Sequence, residues 1–244
     1  MSTNQLLKLL VETESPSHDK SAVDRVGAIV ADEARKLGAQ IEIIPNIETG
    51  NHVLARFLPN LKPVASGLQP ILLLCHMDTV FPLGTLAKMP YREADGKIFG
   101  PGTLDMKAGI VISLAAIEDA QKQGLKHPVI LFCTSDEEIG SHTSRAHIER
   151  LAKESALVLV LETALVDGSL KTWRKGVGEF WIKTQGRAAH SGGDHQAGRN
   201  AIEEMAHQVI AIQKLTDYSK QTTLNVGVIQ GGTVSNVVPE EATI

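Results

Sequence analysis

Apolar residues recur at helical spacing from Thr3 to Glu12 and again from Ser21 to Leu37, which predicts two helices, the second stopped by Gly38. Ile41 to Ile44 and His52 to Phe57 read as short strands, and the Pro- and Gly-containing stretch that follows, through Pro70, as a surface loop. Beyond it one pattern recurs: a short apolar run rich in branched residues, too short for a helix, breaks directly into polar residues. The runs are Ile71 to Cys75, Val129 to Cys133 and Leu157 to Leu161. Met106 to Gln123 lies between the first two, with Ile110, Val111, Leu114, Ile117 and Ala120 at helical spacing and Gly124 as C-cap. Ser144 to Lys153 predicts another helix between the second and third. Uniformly hydrophobic strands alternating with helices predict an α/β fold, a mainly parallel sheet sandwiched by helices.

The pattern changes after Gly168. Val177 to Lys183 reads as a strand, Asn200 to Leu215 as an amphipathic helix, and Leu224, Val226 and Val228 alternate as in a strand with one solvated face. The expected organisation is a first domain over residues 1–172 and a second, α+β domain over 173–244. Glu241 to Ile244 looks like the opening of one more strand, so the second domain is expected to be truncated, with an unpaired strand edge.

With 43% hydrophobic residues among 244, the chain can bury a substantial core. Its formal charge of −4 comes from interspersed acids and bases, with no basic run, so nucleic acid is not an expected partner. The N-terminus carries acids and lacks a long apolar core, unlike a secretory signal, and no apolar stretch approaches the ~20 residues of a membrane span. Cys75 and Cys133 are too few for a disulfide framework and read as small buried hydrophobes in a reduced, cytoplasmic protein.

In a parallel sheet, ligands gather beyond the carboxyl ends of the strands. The residues there are His76-Met-Asp78 after the first run, Ser135-Asp136-Glu137-Glu138 after the second and Glu162 after the third; Asp105 sits in a Gly-rich loop before the following helix. His76 and Asp78, two apart in extended chain, project to one side, where a carboxylate can take the second N–H of a metal-bound imidazole. The neighbours Glu137 and Glu138 point in different directions, which suits a division of labour: one binds metal, the other handles protons. So many converging acids need cations. One histidine among carboxylates, without thiolates, suits zinc and leaves manganese and cobalt open. A single His-x-Asp or Glu-Glu after a strand is ordinary loop chemistry. Recurrence of the same location after three strands is what outweighs that reading.

Four blocks, His76-Met-Asp78-Thr-Val, Gly100-Pro-Gly-Thr-Leu-Asp105-Met-Lys-Ala-Gly, Thr134-Ser-Asp-Glu137-Glu138-Ile-Gly-Ser and Gly186-Arg-Ala-Ala-His190-Ser-Gly, resemble the dinuclear zinc family of glutamate carboxypeptidase, acetylornithine deacetylase, succinyl-diaminopimelate desuccinylase, peptidase T and carnosinase. Glu162 and the Arg-Lys-Gly-Val-Gly after it lean toward the glutamate carboxypeptidase branch. The resemblance implies a metal-dependent hydrolase that cuts the amide bond of N-acyl amino acids or small peptides with a metal-bound hydroxide. It also implies two divalent metals bridged by Asp105, one completed by His76 and Glu162, the other served by Glu138. Glu137 would be the general base and Asp78 the orienter of His76. The Asp105–Met106 peptide bond would be cis. The segment 173–244 would be the family's lid and dimerisation domain, giving a homodimer in which His190 stabilises the oxyanion and Asn236 contacts the substrate carboxylate.

The family's last metal ligand is a histidine near the C-terminus of a longer chain, and no motif supplies it here. The remaining histidines, His18, His52, His127, His142, His147, His195 and His207, read as surface or core residues. A rival reading is therefore a non-catalytic fragment that binds metal or dimerises without turnover. A serine or cysteine hydrolase has little support, because no nucleophile elbow or Cys-His signature is present.

Overall fold

The computed structural model describes residues 1–59 and 67–244 and divides them into two compact units, Met1–Lys171 and Thr172–Ile244. Part of the expected surface loop, 60–66, lies outside the described residues.

The first unit is built on a five-stranded sheet of β1 (Gln40–Ile44), β2 (His52–Phe57), β3 (Ile71–His76), β6 (Val129–Thr134) and β7 (Leu157–Val160), in the order β1-β2-β6-β3-β7. The block β6-β3-β7 is parallel, as the uniformly apolar runs predict, while β2 pairs antiparallel with β6 and β1 antiparallel with β2. Side chains alternate between two cores. Leu73, Cys75, Val129, Leu131 and Cys133 face one cluster, with α1 (Thr3–Glu12), α2 (Lys20–Lys36) and α3 (Ala108–Lys122). Leu72, Ile130 and Phe132 face the other, against Leu151 of α4 (Arg145–Glu154). Both faces are thus covered by helices, and both cysteines are buried and free.

Local chemistry sets the helix starts. Ser2 and Gln5 form a capping box on α1, and the Asp19 side chain accepts from Ala22 N–H at the start of α2. A hairpin that periodicity did not reveal, β4 (Arg92–Ala94) and β5 (Lys97–Phe99), turns through Asp95 and Gly96, both at positive φ. That Asp-Gly pair was the available signal.

In the second unit, β10 (Gln230–Gly231), β12 (Glu241–Thr243) and β8 (Lys183–Gln185) form an antiparallel sheet with β12 in the middle, while β9 (Ala189–His190) pairs with β11 (Val237–Val238). The helix α5 (Ala201–Gln213), capped by the Asn200 side chain, buries Ala201 and Met205 with Ala242. Three expectations are corrected here. Glu241 to Thr243 is no unpaired edge, because it is hydrogen-bonded on both sides. The strand expected over Val177 to Lys183 is confined to its last residue onward; Val177, Phe180 and Trp181 are exposed, so β propensity there meets no surface to pack on within the unit. Leu224 to Val228 forms no strand either. Leu224 N–H is taken by Thr216 Oγ1 and Val226 N–H by Gln213 Oε1, side-chain acceptors that replace a ladder. No helix among the described residues is long and apolar enough to cross a membrane.

Candidate metal centre

The carboxyl ends of β3, β6 and β7 bring together the side chains that the motifs singled out. His76, the last residue of β3, is almost wholly buried, and its Nε2 faces Asp105 Oδ1 at 3.1 Å, Glu162 Oε1 at 3.3 Å and Glu137 Oε2 at 3.9 Å. Two sets of donors could each hold an ion: His76, Asp105 and Glu138; and His76, Glu137 and Glu162. Asp105 occupies a tight turn, Thr103–Lys107, immediately before α3, and the peptide bond from Asp105 to Met106 is cis, as the resemblance implies.

The fully buried Asp78 carboxylate ties the site together. It accepts from Ser17 Oγ at 2.7 Å, Glu137 N–H at 3.2 Å and Glu138 N–H at 3.1 Å. His76 Nδ1 meets the Asp78 backbone carbonyl at 2.9 Å and the carboxylate only at 3.4 Å. Asp78 therefore orients the Glu137–Glu138 turn as directly as it orients the imidazole.

The electrostatics are those of several acids crowded around one imidazole. Burial alone would hold the His76 imidazole below its usual pKa, but the carboxylates of Asp78 and Glu162 outweigh it and push the value up to about 11. Glu162 is held low by its hydrogen bond to His76, against its burial. Glu137 is raised by burial and by Glu162, Asp78 and Asp105, against the pull of His76, and Glu138 is raised for the same kinds of reason. One imidazole and four carboxylates match the nitrogen and oxygen preferences of zinc, manganese or cobalt.

Residues 172–244 match the family model described as a peptidase dimerisation domain. Over 243 residues the chain is 29% identical to carboxypeptidase G2 of a Pseudomonas strain, an alignment covering 98% of this chain and 57% of that protein. The resemblance drawn from the motifs holds. Among solved structures, a tripeptidase of Staphylococcus aureus superposes with TM-score 0.74 at 19% identity, covering 99% of this chain and 64% of the other. The aminopeptidase PepT of Bacillus cereus gives 0.72 at 21%, covering 98% and 63%. At such identities the likeness is one of fold. The chain spans little more than half the length of the curated relative, 57% of it.

The two residues that the motifs singled out in the second unit lie next to one another. His190 of β9 is paired in register with Val237, the neighbour of Asn236, and Ser191 N–H donates to the Asn236 carbonyl at 3.0 Å. His190 Nδ1 accepts from Gly192 N–H at 3.1 Å and Gly193 N–H at 2.9 Å, which leaves the ring proton on Nε2 as an exposed donor.

Sequence reasoning missed two residues that brace the site. Lys107 is buried, and its Nζ donates to the carbonyls of Leu10 and Thr13, each at 2.8 Å, pinning the Asp105 turn to the end of α1; burial pushes its pKa down to about 7. Nothing in the local sequence discloses an acceptor 94 residues away. His52, read as a surface or core residue, is buried on β2. Its Nδ1 accepts Ser135 N–H at 3.2 Å, so Nε2 carries the proton to Thr143 Oγ1 at 3.2 Å, and Thr143 donates in turn to Asp136 at 2.7 Å. This chain supports the turn that carries Glu137 and Glu138.

Burial holds His52 below its ordinary value of 6.5, against the opposing pull of Asp136. A depressed folded-state value means that the unfolded chain takes up the proton first, so this contribution to stability is present above about pH 6.5 and is lost as pH falls below it. His52→Asn, which keeps an acceptor near the Nδ1 position, is expected to remove that acid loss while staying close to wild type at pH 8. His52→Leu leaves Ser135 N–H buried without its acceptor and should cost about 1–3 kcal/mol at pH 8, a deficit that narrows toward pH 5 as the wild type loses its own His52 contribution. Urea unfolding midpoints of the three proteins between pH 5 and 8 check both outcomes.

Proposed function

We propose that the chain carries the metal-binding half of the active site of a metal-dependent amidohydrolase that cleaves N-acyl amino acids or small peptides, in the manner of a carboxypeptidase. The observation that carries this reading is the convergence of His76, Asp105, Glu137, Glu138 and Glu162 at the ends of three parallel strands. Zinc would fit these donors: His76, Asp105 and Glu162 would hold one ion, and Asp105 and Glu138 would serve a second. When bound, such ions acidify a water molecule and polarise the amide carbonyl.

The protein's own residues do the rest. Glu137, not needed as a ligand in this assignment and raised above an ordinary carboxylate, accepts the water's proton and delivers it to the leaving nitrogen. Asp78 holds that carboxylate and the imidazole in register. His190 Nε2–H is a donor suited to a developing oxyanion, and Asn236 beside it to a substrate carboxylate. The similarity of residues 172–244 to a peptidase dimerisation domain supports a homodimer. A reduced, cytoplasmic setting accords with the two free cysteines.

The test is elemental analysis of the purified chain together with a panel of N-acyl amino acids and dipeptides, with and without chelator. The expected result is chelator-sensitive hydrolysis restored by zinc, manganese or cobalt. Metal uptake without turnover would leave a binding module in place of an enzyme, and chelator-insensitive turnover would overturn the reading.

A further inference from the structure

A cleft of about 450 Å³ opens between the β4–β5 hairpin, the segment from Lys88 to Pro90 and the start of the turn that carries Asp105, wholly within the first unit. That volume lies within the range of small-molecule sites. Its walls are braced by backbone hydrogen bonds. Lys88 N–H and Met89 N–H both donate to the Thr85 carbonyl, at 2.9 and 2.8 Å. On the opposite side Thr103 N–H donates to the Gly100 carbonyl at 3.3 Å and Lys107 N–H to the Gly102 carbonyl at 3.0 Å, which ties the Asp105 turn to the loop before it.

The lining is apolar and basic together. Ile98 and Phe99 contribute to it, and Leu104 and Met89 leave 72% and 41% of their surface in solvent. Its charged members are Lys88 and Arg92, and no acid or histidine lines it. Among the described residues neither base has an acid within ion-pair distance. The acids adjacent in sequence are turned to other partners: Glu93 accepts from Tyr91 Oη at 2.7 Å, and Asp105 meets His76 Nε2 at 3.1 Å. Arg92 pairs across the hairpin with Phe99, and its guanidinium carbon lies 3.6 Å from the centre of that ring. A guanidinium held over a ring keeps its N–H edge for an anion, which it can take through two parallel hydrogen bonds.

We propose that this cleft binds a small monocarboxylate with an apolar body, its carboxylate paired with Arg92 and Lys88 and its body laid against Met89, Phe99 and Leu104. A bare anion would leave the apolar surface uncovered, and a neutral apolar molecule would leave both bases unpaired. None of the candidate metal donors lines the cleft, so the site is separate from the metal centre and stands or falls without the hydrolase reading.

Titration of the nitrogen-15-labelled full chain, freed of metal so that no bound ion can draw the carboxylate, tests this by amide chemical shifts. The probes are 4-phenylbutyrate, its neutral counterpart 4-phenylbutanol, and acetate. The amides of Arg92, Phe99, Thr103 and Leu104 should shift saturably with 4-phenylbutyrate. It should bind tighter than the alcohol by about threefold or more, the modest gain of exposed ion pairs, and tighter than acetate by about tenfold or more, through burial of the ring and methylenes. The double variant Lys88→Gln, Arg92→Gln should lose the preference for the acid over the alcohol and keep the alcohol's affinity within about twofold. Both side chains are exposed, so folding is not at risk, and the variant's amide spectrum checks that directly. Equal affinity for acid and alcohol, a preference that survives the double variant, or shifts confined to the residues around His76 and Glu138 would each overturn the site.

Discussion

Glu137→Gln is expected to leave the zinc content of the chain intact and to lower hydrolysis by roughly 10²- to 10⁴-fold, the usual loss when a positioned general base is removed. Glu138→Gln should lower bound metal instead, with activity falling as a consequence. The two residues are adjacent, share the Asp78 carboxylate as a backbone acceptor and are both raised by burial, so their environments hardly differ. What separates them is which donors they accompany. Glu138 groups with His76 and Asp105, and Glu137 with His76 and Glu162, the set to which the proposed assignment already gives three ligands once Asp105 is shared. Elemental analysis of both variants beside their steady-state rates decides the matter. Equal metal loss in the two would mean that Glu137 is itself a ligand and that the proton carrier is another group.

Gly109→Ala is expected to damage the same centre from its far side. Gly109 lies in the first turn of α3, and a Cβ there would overlap the Leu161 carbonyl oxygen and crowd Met106 Cε at 2.8 Å. The obstacle is backbone, which cannot rotate away as a flexible side chain could. Either α3 or the end of β7 must move, and the residue after Leu161 is Glu162. A stability loss of about 1–3 kcal/mol is the expectation for such overpacking, together with weakened metal binding at the site served by Glu162. A thermal melt and a zinc titration measure the two effects. A variant that melts as wild type and binds zinc as tightly would show that the close approach between α3 and β7 is not what places Glu162.

The parts of the fold that could be read in advance are those where one physical signal dominates. β3 and β6 are largely buried on both sides, so unbroken apolar runs gave them away; β7 carries the same kind of run although Leu157, Leu159 and Val160 are exposed, and the polar residues ending each run marked the site. The helices announced themselves through period and caps. What escaped depends on contacts distant in sequence. Lys107 looks like any lysine at a helix start until the end of α1 and the residue capping it offer two carbonyls, and His52 reads equally as a surface or a core residue until Ser135 and Thr143 close around it. The second unit was the least legible, because Val177, Phe180, Leu224 and Val226 have strand-like character but meet no pairing edge, while the short strands that do form hold only two or three residues each.

The Asp78 carboxylate also fixes when the site can exist. Its three hydrogen bonds reach residues 59, 60 and 61 positions away, in two directions along the chain. Closing loops of that length is slow compared with winding a helix, which needs only neighbours. The helices α1, α2 and α3 can therefore be present while His76, the Glu137–Glu138 turn and the Ser17 segment are still apart. The donor ring is thus expected to form after those helices, and a metal ion arriving earlier would find scattered carboxylates in place of a centre.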